Sequence, residues 1–137
     1  MRTHRRLVTV LLVVFMVALF SAVGPTFAQK KKDVPETVHA IYHAKAGSEA
    51  AFERTLARHW AVARRLDLLN PTPHIVVRGV EDDDKTFFAE ILEWRDENIP
   101  DHAPPEIQEI WKEMRTLVEP RKGRPGIDFV QVALIKQ

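Results

Sequence analysis

The chain has 137 residues, 45% hydrophobic and 28% charged, which suits one globular domain and is short for two. Lys+Arg number 20 against 19 Asp+Glu, a net charge of +1, so no global basic field recruits nucleic acid. The absence of Cys excludes a disulfide scaffold, thiolate metal ligands, a Cys nucleophile and acylation at Cys.

Residues 1–28 read as a secretory signal peptide. Arg2, Arg5 and Arg6 precede an uncharged stretch, Leu7 to Gln29, whose core from Leu7 to Phe20 is almost wholly aliphatic. Thr26-Phe27-Ala28 places small residues at the −3 and −1 positions of a cut after Ala28. The alternative is an uncleaved anchor, but the apolar run ahead of Gly24-Pro25 falls short of the ~20 residues that span a bilayer well. Cleavage would remove the three arginines and leave a slight acidic excess, so the exported protein, periplasmic or secreted, has no general attraction for anionic membranes or DNA. Residues 29–36, including Lys30-Lys31-Lys32, read as a solvated, flexible segment before a domain over 37–137.

That domain begins with a predicted strand over 38–45. Gly47 ends it and Ser48 stands where a helix cap is expected. From Glu49 to about Asp67 there is no Gly or Pro, and Phe52, Leu56, His59, Ala63 and Leu66 make one helical stripe. Asn70-Pro71-Thr72-Pro73 predicts an irregular connection. The β-rich runs 74–80 and 86–95 flank the polar turn 81–85 and predict an antiparallel hairpin. The three aspartates of that turn are read as solvated, since they do not follow the calcium-loop pattern. A second helix starts near Pro105 and stops at Pro120, with Ile107, Ile110, Trp111, Met114, Leu117 and Val118 on one face. A basic loop over 121–126 leads to a last strand over 127–135.

The order βαββαβ predicts a ferredoxin-like α+β fold, a four-stranded antiparallel sheet with two helices on one face. Both faces of the strands are apolar. In 86–95, Phe87, Ala89 and Ile91 oppose Phe88, Leu92 and Trp94. In the last strand, Ile127, Phe129, Ala133 and Ile135 oppose Val130, Val132 and Leu134. Helices cover one face only, and each large apolar side chain left in water forgoes about 1.5–3 kcal/mol. The expected partner is therefore a second copy, the two sheets closing into an α/β barrel.

This pattern resembles the dimeric α/β barrel superfamily, and most of all its antibiotic-biosynthesis-monooxygenase-like branch. Lys45-Ala46-Gly47-Ser48-Glu49 with Phe52 is similar to that branch's entry into the first helix. Glu93-Trp94-Arg95-Asp96 is similar to its strand-end Trp-x-Asp/Glu pattern, and the resemblance covers about residues 36–136. It implies a pocket between sheet and helices, with Trp94 in its wall. Relatives of known activity include cofactor-independent oxygenases of aromatic polyketides, haem-degrading enzymes and isomerases, and others only bind ligands. The haem degraders use an Asn in the first strand and a His in the second helix. Neither occurs here in Val38 to His43 or Ile107 to Val118, so the resemblance does not extend to haem degradation.

The candidate catalytic residues are His59, inside an apolar helical stripe, and Glu90, on an apolar strand face where a carboxylate is either paired or shifted in pKa. The two are candidates for a mutual pair. Tyr42, the sole tyrosine, Trp94, Trp111 and Arg78 are the candidate pocket residues, Arg78 facing either an acidic ligand or Glu90. The bland alternative is a satisfied core histidine and ordinary core tryptophans, Trp60 among them. His39 and His43 are about 13 Å apart on one strand face, too far to share a metal ion unaided. No metal or cofactor is expected, and no phosphate loop, nucleophile elbow or dinucleotide fingerprint is present. Two readings remain: an exported, dimeric barrel whose apolar pocket binds a small aromatic ligand, or a cofactor-independent monooxygenase of an aromatic or quinol-like substrate.

Overall fold

A computed structural model describes residues 33–135. The predicted signal peptide and residues 29–32 lie outside the described residues. The elements are β1 (Glu36–His43), α1 (Glu49–Arg65), β2 (Leu69–Val80), β3 (Thr86–Trp94), a 3-10 turn (Pro100–His102), α2 (Pro105–Thr116) and β4 (Ile127–Gln131). The strands form one antiparallel sheet in the order β2-β3-β1-β4. This is the expected ferredoxin-like βαββαβ arrangement.

Alternation along β3 sorts the two faces. Thr86, Phe88, Glu90, Leu92 and Trp94 are buried, while Phe87, Ala89, Ile91 and Glu93 are half-buried. The register carries the buried face into β1 through Tyr42 opposite Phe88 and Ala40 opposite Glu90. On β2 the same face holds Val76 opposite Glu90 and Arg78 opposite Phe88, both of which stay exposed at the sheet edge. The helices pack here. From α1 come Phe52, Thr55, Leu56, His59 and Ala63. From α2 come Ile107, Ile110 and Met114. The predicted stripes match these sets except at Leu66, which caps α1 and is half-buried, at half-buried Trp111, at Leu117 and Val118, which lie beyond the end of α2, and at Thr55, whose hydroxyl donates to the Ala51 carbonyl and to Glu113.

Three boundaries differ from expectation, each for a physical reason. Residues 70–73 belong to β2 rather than to an irregular connection. Because β2 is an edge strand, its prolines forfeit no ladder bond, and the register breaks between Leu69 and His74 to accommodate them. The first strand starts at Glu36 and ends at His43, and the Val34 carbonyl accepts a bond from the Glu97 amide. The last strand stops at Gln131 rather than 135. Gln131 already faces Val38, and only two residues of β1, Glu36 and Thr37, lie beyond it.

Buried Arg121 locks one end of the sheet. Its guanidinium donates to the carbonyls of Ala44 and Thr86 and to the carboxylates of Glu81 and Glu119. It thereby ties the end of β1, the β2–β3 hairpin and the segment after α2 to one another.

Among the described residues no helix covers the opposite sheet face. Ile41, Ile75, Val77, Phe87, Ala89, Ile91 and Val130 lie on it, with Ile75, Val77 and Val130 about half exposed at 50%, 49% and 53%. Gly79 is a packing position on this face. A Cβ there would stand 2.3 Å from the Phe87 ring, so the ring occupies the space any side chain would need.

Candidate functional site

A cavity of about 490 Å³ lies between the helix-covered face of the sheet and the helices. Its apolar wall includes Val38, Ala40, Leu92, Met114 and Ile127. Tyr42, His59, Trp94 and Trp111 supply the aromatic part. The exposed members Glu97, Asp101 and Arg115, with half-buried Glu36, bring three carboxylates and one guanidinium to the same space.

Three of the rings form a mutually braced cluster. Trp94 and Trp111 meet edge to face at 6.1 Å, and His59 sits 6.0 Å from Trp94 and 6.1 Å from Trp111. The Trp111 indole N–H donates to His59 Nε2 at 3.0 Å. That bond occupies the Nε2 lone pair, so the neutral ring carries its proton on Nδ1. Nδ1 is buried and has no hydrogen-bond partner. Burial pulls the His59 pKa down to about 4, with a further lowering from His74, so the ring is uncharged at neutral pH. In this arrangement His59 is a hydrogen-bond donor rather than a base.

The proton-accepting group is Glu90. Small Ala40 faces it across β1, which leaves room for the diagonal neighbour Tyr42 to reach over. The Tyr42 hydroxyl donates to Glu90 Oε2 at 3.0 Å. On the other side Val76 faces Glu90, and its diagonal neighbour His74 brings Nε2 to 3.3 Å from Glu90 Oε1. Burial raises the Glu90 pKa to about 7, against a smaller lowering by the Tyr42 bond. Burial also lifts the Tyr42 phenol well above its ordinary value, reinforced by the charge and hydrogen bond of Glu90. Tyr42 therefore remains a phenol and borders the cavity, with its hydroxyl bonded to Glu90.

Of the residues singled out in the sequence, Tyr42, His59, Trp94 and Trp111 converge on the cavity and Glu90 touches it through Tyr42. His59 and Glu90 do not pair: His59 bonds Trp111, and Glu90 has Tyr42 and His74. Arg78 is not in the cavity wall. It shares the helix-covered face but lies toward the exposed edge strand, over the Phe88 ring, with Glu53 of α1 at 3.9 Å. Trp60 also stays outside, stacked flat on His74 with ring centroids 3.4 Å apart. His74 is the residue that the sequence reading missed. The turn 81–85 pairs Val80 with Thr86, and that register alone puts His74 on the Glu90 face. Among the described residues no group of three or more His, Asp or Glu side chains is placed to hold a metal ion.

No family model matches the sequence, and no curated protein matches it. Solved structures match the fold. SnoaB from Streptomyces nogalater, a cofactor-independent oxygenase, is 19% identical, with a TM-score of 0.56 over 75% of this chain and 95% of SnoaB. PA3566 from Pseudomonas aeruginosa is 18% identical, with a TM-score of 0.55 over 77% of this chain and 98% of its own. A protein from Bacteroides thetaiotaomicron classed with the antibiotic biosynthesis monooxygenases is 10% identical, with a TM-score of 0.56 over 74% of this chain and 90% of its own. At these identities the likeness is one of architecture, and the chain has the α+β fold of antibiotic-biosynthesis-monooxygenase-like proteins.

Proposed function

We propose that the protein is a cofactor-independent monooxygenase of a neutral aromatic substrate bearing an acidic hydroxyl, a phenol or quinol. The observation that carries this reading is the Tyr42–Glu90 pair at the wall of an aromatic-lined cavity. A phenolate reacts with dioxygen without help from a metal or flavin, so the protein need supply only a base, orientation and a dry site. The substrate hydroxyl gives its proton to Tyr42 Oη as Tyr42 passes its own to Glu90. One oxygen atom joins the ring as a carbonyl and the other leaves as water, with all electrons drawn from the substrate. Trp94 and Trp111 hold the ring. Glu36, Glu97 and Asp101 outnumber Arg115 around the cavity and disfavour a polyanionic ligand such as haem.

The same fold is supported by SnoaB, itself a cofactor-independent oxygenase. The bare apolar sheet face supports a two-fold dimer closed sheet to sheet, and the N-terminal pattern supports export with cleavage after Ala28. Oxygen uptake with a panel of hydroxynaphthalenes tests the activity. Turnover by the wild-type protein that falls at least about a hundredfold in Glu90→Gln is expected. Equal turnover in the two proteins would remove Glu90 as the base. The other reading, binding alone, predicts saturable quenching of Trp94 and Trp111 fluorescence by the same compounds with no oxygen consumed.

A further inference from the structure

We propose that His74 is the outlet of a proton relay running from the cavity through Tyr42 and Glu90 to solvent. It deepens the reading of Glu90 as the cavity's base. Three side chains on three adjacent strands make the path. Tyr42 on β1 borders the cavity, Glu90 on β3 is fully enclosed, and His74 on edge strand β2 has a side chain 26% exposed. Each link is a polar contact to a different carboxyl oxygen, 3.0 Å at Oε2 and 3.3 Å at Oε1. A carboxyl group bridged in this way passes a proton without moving its atoms far. Oε2 takes the Tyr42 proton as Oε1 gives one to His74 Nε2, His74 releases a proton to water, and a half turn of the carboxyl resets it.

The proton Glu90 takes up returns to the oxygen that leaves as water, so the relay's task is to reset the protonation state of an enclosed carboxyl through a side chain that reaches solvent. The cavity side offers no second route through His59, whose basic nitrogen is taken by Trp111. The ring of His74 is held for the task by its flat stack on Trp60, which in turn carries the Arg64 guanidinium at 5.9 Å. Other charges near the path are accounted for. Arg78, further along the same face of β2, is engaged by Glu53 of α1, and His59 of α1 is uncharged at neutral pH. Burial also pulls His74 below its ordinary pKa, so a proton it receives is readily released to water.

The test uses the ligand-free full chain and needs no substrate. After a rapid pH jump, time-resolved infrared follows the carbonyl stretch of protonated Glu90, assigned by its loss in Glu90→Gln. Protonation is expected to slow at least about tenfold in both His74→Ala and His74→Gln. Added imidazole should restore the rate in His74→Ala, where it can fill the space, and not in His74→Gln. Wild-type rates in both His74 variants would overturn the relay, and so would slowing that imidazole leaves uncorrected in His74→Ala, the mark of a merely structural role. A relay that passes this test in a protein that consumes no oxygen leaves the relay standing and removes the oxygenase.

Discussion

Replacing Glu90 by Gln should change how stability depends on pH. The substitution keeps the shape and an oxygen to accept the Tyr42 bond, but removes the ionisable proton. In the wild-type fold burial raises the Glu90 pKa from 4.5 to about 7. The native state therefore holds a proton that the unfolded chain has lost across that window, and stability falls as pH rises through it. At 1.36 kcal/mol per unit the loss is about 3 kcal/mol, complete above about pH 7. His59 acts in the opposite direction. Its pKa is lowered from 6.5 to about 4, so its contribution is present above about pH 6.5 and is lost as pH falls toward 4. The two trends oppose each other between about pH 4.5 and 6.5 and flatten the wild-type curve there. Glu90→Gln should uncover the His59 trend, rising from pH 4 to 6.5 and level beyond. Urea denaturation at a series of pH values and one protein concentration measures the difference between the two proteins. It should grow by about 3 kcal/mol in favour of Glu90→Gln from pH 4.5 to 8. A difference constant within about 0.5 kcal/mol would show that Glu90 titrates normally, and would refute the burial argument.

Trp111→Phe keeps a ring against Trp94 but removes the donor to His59. It should cost about 1 kcal/mol in stability and shift the pH dependence assigned to His59, as read by the same denaturation series. Arg121→Leu strips partners from the Ala44 and Thr86 carbonyls and from Glu81 and Glu119, and should cost about 3 kcal/mol in a thermal or urea melt. A loss below about 0.5 kcal/mol would mean that the clamp is idle. Val77→Asp places a charge on the bare sheet face. Light scattering should report a dimer for the wild-type protein and a monomer for this variant, and a wild-type monomer at micromolar concentration would end the barrel proposal.

Much of the fold is legible because it is written in periodicity. The stripe from Phe52 to Ala63, the stripe from Ile107 to Met114 and the alternation along 86–94 each declare a face, and the structure buries those faces. The boundaries at 69–73 and 131 were not legible. Prolines break a central strand yet cost an edge strand little, and edge position is a property of the whole sheet. The last strand keeps its apolar pattern to Ile135, but its partner β1 ends first. Site residues follow the same division. Tyr42, Glu90, Trp94 and His59 stand out as single polar or aromatic residues on apolar faces. Which of them pair is decided by diagonal contacts across strands, and those need the register. The same lack hid His74, read as the first residue of a strand, and left Arg78 between an acidic ligand and Glu90, where the structure gives it Glu53. Arg121 reads as one basic residue of a basic loop, since nothing local marks it as enclosed by three distant acceptors besides neighbouring Glu119.

A crystal structure with a bound dihydroxynaphthalene would bear most directly on the role given to the cavity. The ring should lie against Trp94 and Trp111, with one hydroxyl oxygen within hydrogen-bond distance of Tyr42 Oη and Tyr42 still bonded to Glu90. A ligand held only at Glu97, Asp101 and Arg115, its hydroxyls turned away from Tyr42, would contradict that role.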